Sequence, residues 1–398
     1  MWHGHQQPTG YTIVFDHAQS TTTEKYDCGC VSVVTLQSVL FCLLKVVYLL
    51  ICLLLLSALV YVCTIVDEMR FIPRCASSLQ LSPHTGCNRE DVLCSKTYNE
   101  TVHATMHNAF ATTQNGFWFA QHRGCMRSAL IRGIRSFMLD VHMTSSGNVA
   151  LCHYSCTLGS MSLSATLDMF MDFLKQNPRE IITIIWEMVP NTKSADDVHA
   201  LHLQWKQAIW KSGMPNLMFA RQQDVNPWPT LLHMIQNETR VVSFSSLNAP
   251  YSVVHEDWEM YTGYFQAETP FDSKTKTKLE QNCIIRNTFY PNWYMPWTPL
   301  LIMNQFTVLA ALGINADRTA WIGDWMDKSA LQRINGEDLL WARVHTCAQC
   351  LARMPNFIAV DFWDSSGVVE VVHRFNNMSH EKQADIRQGN ITACSVYS

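Results

Sequence analysis

The chain has 398 residues, 48% of them hydrophobic, and a formal net charge of −4. This length allows one large domain together with additional segments. The small negative charge gives no sign of the basic surface that nucleic-acid-binding proteins present, so we expect no nucleic acid as a partner. Because the chain has 16 histidines, any single histidine is weak evidence for a functional site.

An uninterrupted apolar segment lies near the start of the chain. Residues 46–66 contain no charged side chain and read VVYLLICLLLLSALVYVCTIV. A helix of this length crosses about 30 Å of hydrocarbon, whereas a core helix of a soluble protein would normally show a polar face. A cleaved signal peptide would be shorter and closer to the first residue. We therefore predict a transmembrane signal anchor at residues 46–66, after an N-terminal tail at residues 1–45 in which the polar residues 1–37 are largely disordered.

The orientation of this anchor has to be inferred from the C-terminal part of the chain, because the flanking charges are nearly balanced. Four N-x-Ser/Thr sequons lie there, at Asn99, Asn237, Asn377 and Asn390, as is typical of secreted proteins. Ten cysteines lie there as well, an even number that is compatible with disulfides in an oxidising compartment. The sequence favours a single-pass type II membrane protein whose C-terminal part is luminal or extracellular.

The cysteines allow more than one interpretation. In the cysteine-containing linker at residues 67–97, Cys87 and Cys94 are the best candidates for a bridge. Cys347 and Cys350 form a CxxC sequence with His345 nearby, which also allows a zinc site. A zinc site would want a second pair at similar spacing, and we find none in the sequence. We therefore expect a disulfide or buried thiols at this CxxC.

Residues 98–375 alternate between apolar β-branched runs and helical patterns, and a C-terminal tail follows at residues 376–398. We predict strands at 100–105, 134–141, 148–152, 180–188, 240–244, 301–306 and 357–362, and helices at 117–131 and 163–176. Strands that alternate with helices imply a parallel sheet, and a barrel of this kind needs about 250 residues. The predicted fold is α/β, a TIM-type (β/α)8 barrel in which irregular elements are allowed.

Polar side chains fall at or near the carboxyl ends of several predicted strands: His107, Asp140, His153, Glu187 and Asp361. In a parallel barrel the carboxyl ends of the strands carry the catalytic groups. Because imidazole titrates near neutral pH, two histidines brought together there could serve as general base and general acid. Each of these residues also has a structural interpretation, either as a hydrogen-bonded core histidine or as a member of a buried salt bridge.

The same residues belong to an ordered series of motifs: His107-Asn108-Ala109-Phe110, Gly133-Ile134-Arg135 followed by Phe137-Met138-Leu139-Asp140, Leu151-Cys152-His153, and residues 173–183. The series resembles the catalytic region of phosphatidylinositol-specific phospholipase C enzymes, most closely their single-domain branch in plants, fungi and protists. The resemblance resumes at residues 355–363. It thus covers the predicted barrel at residues 98–375.

This resemblance implies an enzyme, a phosphoric diester hydrolase or lyase that acts on a phosphoinositide or glycosylphosphatidylinositol-type lipid at a membrane. It implies that His107 is the general base, oriented by Asp361, and that His153 is the general acid. Arg135 could contact the phosphate, although a structural ion pair is a slightly better interpretation of this arginine.

The resemblance also implies Asn108, Asp140 and Glu187 as ligands of Ca²⁺. The calcium-dependent branch has a second acid two residues before the aspartate, where this chain has Met138, and a thioether is a poor calcium ligand. The bacterial calcium-independent branch has an arginine in place of Asp140. Because this chain matches neither set in full, its metal dependence stays open.

Two alternative functions remain open. The His122-Arg123-Gly124 sequence resembles a motif of glycerophosphodiester phosphodiesterases, but the Pro-Glu-Asn-Thr expected after it is replaced by Cys-Met-Arg-Ser-Ala. The domain could also be a catalytically silent membrane protein that binds lipid or phosphate. The intact His107 and His153 argue against that second alternative, whereas Met138 permits it.

Overall fold

The computed structural model describes residues 29–71, 75–118, 120–144, 146–153, 155–192, 194–220, 228–247, 256–269, 283, 285, 300–306 and 335–387. The chain divides into two compact units, Met1–Arg70 and Phe71–Ser398. Each unit is described by itself below.

The first unit is dominated by the long helix α1 (Gly29–Phe71). Its segment Ser38–Val62 is long and apolar enough to cross a bilayer, and its large apolar side chains are exposed rather than packed in a core. Length and composition of this kind suit a membrane span or a signal sequence. The helix starts well before the predicted boundary at residue 46. Residues 29–45 of the predicted tail are therefore helical, including residues 29–37, for which disorder was predicted, and residues 1–28 lie outside the described residues.

The second unit is built on one sheet and the helices around it. Its strands are β1 His103–Met106, β2 Ser136–Met143, β3 Val149–Cys152, β4 Ser160–Ser162, β5 Ile182–Val189, β6 Val241–Ser245, β7 Met260–Tyr261, β8 Gln266–Glu268, β9 Leu300–Gln305 and β10 Phe357–Val360. Its helices are α2 Met126–Arg132, α3 Leu163–Gln176, α4 Ala195–Ser212, α5 Leu231–Gln236, α6 Thr262–Phe265, α7 Glu337–Leu351, α8 Val368–Asn376 and α9 His380–Arg387.

Eight of the described strands are paired in parallel, in the order β7-β6-β5-β2-β1-β10-β9-β8. The two edge strands of this order, β7 and β8, are joined by the 4-residue helix α6, which contacts both of them. So short a connection holds the two edges close together, and the sheet must curl to allow it. The predicted α/β fold of the TIM-barrel type is confirmed, and its irregular point is the β7–β8 edge, where no ladder joins the described residues.

The predicted strand at residues 148–152 is present as β3, but it is not a barrel strand. It pairs antiparallel with β2 and then with β4, forming a hairpin that extends the end of β2. The turn that precedes it includes Gly147 at φ 79° and is too short for the crossover that a parallel strand would need. The hairpin places His153 directly after β3, at the carboxyl end of the sheet.

The predicted helix at residues 117–131 is correct only in its second half, α2. Before α2, the backbone of Gln121 and His122 hydrogen-bonds to Ala111 instead of forming helical turns. A Cβ at Gly124 would meet the Trp363 ring at 2.7 Å, so this segment is packed tightly against the loop after β10. By contrast, the predicted helix at 163–176 coincides with α3.

The residues that lead into β1, from Tyr98 to His103, close the amino end of the barrel. The Tyr98 side chain is fully buried there, with its hydroxyl 2.5 Å from Thr183 Oγ1. His103 Nε2 lies 2.7 Å from Thr101 Oγ1, and burial lowers the pKa of His103 to about 3. Because the polar side chains at the amino end are buried and hydrogen-bonded to one another, we look for functional groups at the carboxyl end of the strands.

Four disulfides join pairs of cysteines that the structure describes in the second unit: Cys75–Cys125, Cys87–Cys94, Cys152–Cys156 and Cys283–Cys347. The predicted bridge between Cys87 and Cys94 is confirmed. Because Cys347 is bonded to Cys283 and Cys350 is also in a disulfide, the zinc alternative at the CxxC is wrong.

Candidate active site

His107 and Asp361 follow the neighbouring strands β1 and β10, and their side chains meet. The ladder between these strands pairs Met106 with Val360, and the next backbone N–H, that of His107, donates to the Val360 carbonyl at 3.1 Å. The side chains of His107 and Asp361 then lie side by side, with Nδ1 and Oδ1 2.8 Å apart. A carboxylate oxygen can only accept, so Nδ1 carries the proton and Nε2 keeps its lone pair.

The ring of His107 is also held on one face. It stacks on Phe306, which follows β9, with ring centroids 3.9 Å apart and planes within 6° of parallel. Its side chain is 17% exposed. Three consecutive strands in the barrel order, β1, β10 and β9, therefore fix one imidazole that is still reachable from outside.

Asn108 turns the chain from β1 toward β2. Its backbone is left-handed, at φ 43°, which asparagine tolerates better than most residues. The next N–H, that of Ala109, donates to the Met138 carbonyl at 3.0 Å. In the amide orientation that satisfies its neighbours, Asn108 donates to both Asp140 oxygens at 3.0 and 3.2 Å and accepts from His153 Nδ1 at 3.2 Å.

His153 completes the group from the hairpin loop after β3. Its Nδ1 is 3.6 Å from Asp140 Oδ2, and its side chain is 11% exposed. Burial lowers the pKa of His153 well below its usual value, and the nearby imidazoles of His107 and His142 lower it further. The site at rest therefore holds a neutral His153.

Asp140 and Glu187 occupy partnered positions on β2 and β5. Both side chains project to the inner face of the sheet, as do Met138 and Ile185 two residues earlier. Burial raises the pKa of Asp140 well above its usual value, and the Glu187 carboxylate adds to this effect. The Asp140 carboxyl therefore holds its proton to higher pH than an exposed aspartate would.

Arg135 does not join this group, and its assignment to the phosphate has to be corrected. Its Nε is 2.5 Å from Glu180 Oε2, and its Nη1 donates to the carbonyls of Leu130 and Ile134 at 2.6 and 2.8 Å. Its side chain is buried at the start of β2, whereas Asp140 stands near the end of that strand. Arg135 is a structural ion-pair partner at the amino end of the barrel.

Two histidines near the site were not predicted to belong to it. His142 follows Asp140 on the same face of β2, and its charge would disfavour a charged His153.

His122, from the His-Arg-Gly sequence, is fully buried, and its Nε2 lies 2.5 Å from the His107 carbonyl oxygen. A histidine held in this way is not presented to a substrate, which argues against the glycerophosphodiesterase alternative. Alternation along β2 could have indicated His142, but no sequence pattern reveals a bond to a backbone carbonyl.

The groups that could hold a cation are the carboxylates of Asp140 and Glu187, joined by the Asn108 oxygen only when the amide is turned so that its oxygen, and not its nitrogen, faces Asp140. Among the residues that the structure describes, no three His, Cys, Asp or Glu side chains form a metal-binding cluster. Met138, at the position where the calcium-dependent branch has a further acid, packs against the apolar interior. The three oxygen-bearing side chains nevertheless suit a hard cation, which would need water or substrate oxygens to complete its shell.

Sequence comparisons agree with this geometry. A family model described as PI-PLC X 1 matches residues 93–376. A PI-PLC X domain-containing protein of Arabidopsis thaliana is 24% identical over 345 residues, which are 79% of this chain and 74% of that protein. An uncharacterized secreted protein of Arthroderma benhamiae is 22% identical over 318 residues, 78% of this chain and 68% of the relative.

Solved structures were also matched. The phosphatidylinositol-specific phospholipase C of Listeria monocytogenes aligns with a TM-score of 0.48 at 13% identity, covering 72% of this chain and 96% of that one. A double mutant of the Staphylococcus aureus enzyme aligns with a TM-score of 0.46 at 11% identity, covering 73% and 96%. The family match extends over most of the chain and includes both histidines and all three acids of the site. The chain belongs to the PI-PLC X family, the phosphatidylinositol-specific phospholipase C-like phosphodiesterases.

Proposed function

We propose that this chain is a membrane-anchored phosphodiesterase that cleaves a phosphoinositide or glycosylphosphatidylinositol-type lipid by acid–base catalysis. The observation that carries the proposal is the His107–Asp361 pair, 2.8 Å apart, beside His153 at the carboxyl end of the barrel. In-line transfer at a phosphodiester requires a general base on one side of phosphorus and a general acid on the other. An imidazole with a fixed tautomer beside a second imidazole can supply both.

In the first step His107 acts as the base. Its Nε2 takes the proton of the inositol 2-hydroxyl as that oxygen forms a bond to phosphorus. The negative charge of Asp361 stabilises the imidazolium that results, and the stacked Phe306 keeps the ring in place. This arrangement needs no movement of the base during the reaction.

His153 acts as the acid while the bond from phosphorus to the diacylglycerol oxygen breaks. Its Nδ1 is engaged by Asn108, so Nε2 delivers the proton to the leaving oxygen. Because burial and two imidazoles lower the pKa of His153, it is neutral before the substrate arrives. The anionic phosphodiester between the histidines favours the charged form and so supplies a protonated His153 when it is needed. Water can then open the cyclic phosphate with the two roles reversed.

Asn108, Asp140 and Glu187 would hold a calcium ion in this proposal, with the Asn108 amide turned so that its oxygen faces Asp140. When bound, the ion would offset the negative charge that develops on the phosphate oxygens. What supports it is the donor set, which is all oxygen, and the register that pairs Asp140 with Glu187 on neighbouring strands. What weighs against a high-affinity site is Met138, because it leaves only two protein carboxylates.

The proposal places the barrel on the luminal or extracellular side of a single-pass type II anchor. The disulfides of the second unit support an oxidising compartment, and the apolar segment Ser38–Val62 supports an anchor. On that side of the membrane the candidate substrates are glycosylphosphatidylinositol anchors and outer-leaflet phosphatidylinositol.

The experiment is cleavage of phosphatidylinositol by the full chain in detergent micelles, with calcium or with a chelator. His107→Ala and His153→Ala should each abolish turnover, while His199→Ala, at an exposed position on α4, should not. Turnover that survives both active-site changes would overturn the mechanism. Lipid binding without turnover in the folded wild-type protein, on phosphatidylinositol and on anchored substrates, would favour the silent binding alternative.

A further inference from the structure

His122 is a fully buried histidine that the proposed reaction does not use. It lies between the loop after β1, which carries His107, and the loop after β10, which carries Asp361. Burial lowers its pKa, so it is a neutral ring in the folded protein.

Both nitrogens of this ring face backbone groups of those loops. Nε2 lies 2.5 Å from the carbonyl oxygen of His107, and Nδ1 lies 3.5 Å from the backbone nitrogen of Trp363. A carbonyl can only accept and a backbone N–H can only donate, so the proton is on Nε2 and Nδ1 accepts. Of the two contacts, the one to His107 is short and the one to Trp363 is weak.

The backbone on either side of the ring reinforces the same connection. Gln121 N–H donates to the Ala111 carbonyl at 2.8 Å, and the Gln121 carbonyl accepts from Phe362 N–H at 2.8 Å. Phe362 has φ 50°, a left-handed conformation that costs a bulky residue free energy and needs support from its surroundings. The Gln121–His122 pair therefore spans the two loops just beyond the point where the β1–β10 ladder ends.

The Gln121–His122 pair holds the His107 peptide where the β1–β10 ladder no longer does. The last backbone bond between the strands uses His107 N–H and the Val360 carbonyl. The His107 carbonyl has passed the end of that ladder, and it accepts from the His122 ring. A peptide group held on both sides fixes the direction of its own side chain, which here is the His107 imidazole.

We propose that His122 is a positioning residue that sets the orientation of the His107–Asp361 pair through the His107 peptide. The inference rests on the proposed function only in making His107 the base; the contact itself is independent of catalysis. Its consequence is that loss of the Nε2 donor loosens the pair without removing either member.

The test compares His122→Leu, which has no donor, with His122→Gln, whose side-chain nitrogen can reach the place of imidazole Nε2. We expect His122→Leu to lower kcat by about tenfold or more with a smaller change in KM, because a base displaced by about 1 Å loses much of its effect. The acid limb of the pH–rate profile should move as well. His122→Gln should recover most of the wild-type rate and profile.

A matched control separates positioning from stability. His103→Leu removes another buried histidine, at the amino end of the barrel, so it should lower Tm without moving the pH profile. If His122→Leu does not fold, His122→Asn, whose amide is too short to reach the carbonyl, replaces it. Equal pH profiles in wild type and the donor-less variant would overturn the proposal.

Proton NMR of the His107 imidazole gives a readout that does not need turnover. The Nδ1 proton that His107 shares with Asp361 should give a downfield resonance in the wild type. This resonance should disappear in His107→Ala and broaden or shift in His122→Leu, but persist in His103→Leu. If no lipid is cleaved yet these changes occur, the proposed function fails and the positioning role stands; an unchanged resonance in His122→Leu overturns the positioning role alone.

Discussion

Asp140 on β2 and Glu187 on β5 are register partners on the inner face of the barrel, so the two acidic residues project side by side from backbones about one strand spacing, or about 5 Å, apart. Burial and Glu187 together raise the pKa of Asp140 well above its usual value. The folded chain therefore keeps a proton that the unfolded chain has lost. It follows that this group favours folding most below the unfolded pKa of about 4 and opposes it increasingly as pH rises toward the raised pKa.

Calcium should reverse this pH dependence if it binds between the two carboxylates. We expect millimolar calcium to raise Tm by about 2 °C or more at pH 7.5 and by much less at pH 5, because the cation competes with the proton on Asp140. Glu187→Gln should raise Tm in the absence of calcium at pH 7.5 and reduce the calcium effect, while Glu370→Gln on α8 should do neither. Thermal unfolding with calcium or chelator measures both; an undiminished calcium shift in Glu187→Gln would place the ion elsewhere.

Asp361→Asn tests the role of the acid that holds His107. An amide can donate to Nδ1 as well as accept from it, so the imidazole is no longer confined to the tautomer that leaves Nε2 basic. We expect kcat to fall about 100-fold or more while the fold persists, because the equivalent change in another His–Asp system is severe. The comparison is steady-state cleavage beside Asp168→Asn on α3, whose side chain is exposed. A loss below threefold would mean that Asp361 does not orient the base.

The Cys152–Cys156 disulfide closes the loop that contains His153. Cys152 is fully buried at the end of β3, so the bridge ties the loop to the hairpin just beside the proposed acid. We expect Cys156→Ser to lower kcat about tenfold with a smaller change in KM, since the imidazole becomes less well placed. The activity should then depend on an oxidising environment.

The Cys87–Cys94 bridge gives the control for that prediction, because both of its sulfurs lie beside Arg179, which precedes β5 at the amino end of the barrel. The double change Cys87→Ser and Cys94→Ser should lower Tm and leave kcat nearly unchanged. Equal losses of kcat in both bridge variants, measured on folded protein, would show that the bridges act only through stability.

The acidic and imidazole groups of the site could be predicted from sequence because parallel strands deliver their carboxyl ends to one edge. His107 and Asp361 follow apolar strands, Asp140 and Glu187 lie in the carboxyl halves of theirs, and the structure brings all four together. His153 lies at this end of the sheet, as predicted. Its strand, however, is an arm of an antiparallel hairpin and not a parallel strand of the barrel, so that part of the prediction was wrong.

The failures have a common physical cause. Arg135 is a candidate by its motif, but it stands at the start of its strand, where its guanidinium meets Glu180 and not the site. The motif around His122 suggests another family, whereas its hydrogen-bond partner is a backbone carbonyl. Apolar periodicity reports which face of an element is buried; it does not report which buried polar atoms meet.

Trp118 provides a test of action at a membrane surface. Its side chain is 59% exposed, and its backbone N–H donates to the Leu158 carbonyl at 3.0 Å, which places it beside the loop that carries His153. An exposed tryptophan near the site suits the interfacial region of a bilayer. We expect Trp118→Ala to weaken cleavage of phosphatidylinositol in vesicles several-fold and to spare cleavage of a water-soluble inositol phosphodiester.

Trp210 is the matched control, since it is 53% exposed near the end of α4, toward the amino end of the barrel. Trp210→Ala should leave both reactions unchanged. If Trp118→Ala reduces the two reactions equally, its role is in the site and not at the lipid surface.

The sequon at Asn237 tests on which side of the membrane the barrel lies. Asn237 is exposed at the end of α5, where its side-chain nitrogen donates to the His233 carbonyl at 2.7 Å, so a glycan would project into solvent. In a luminal barrel the full chain from eukaryotic cells should shift on a gel after removal of N-glycans, and Asn237→Gln should remove part of that shift. Asn191→Gln, at an exposed asparagine outside any sequon, should not change it. A chain without any N-glycan would argue for a cytosolic barrel, and inner-leaflet phosphatidylinositol would then replace anchored lipids as the substrate to test.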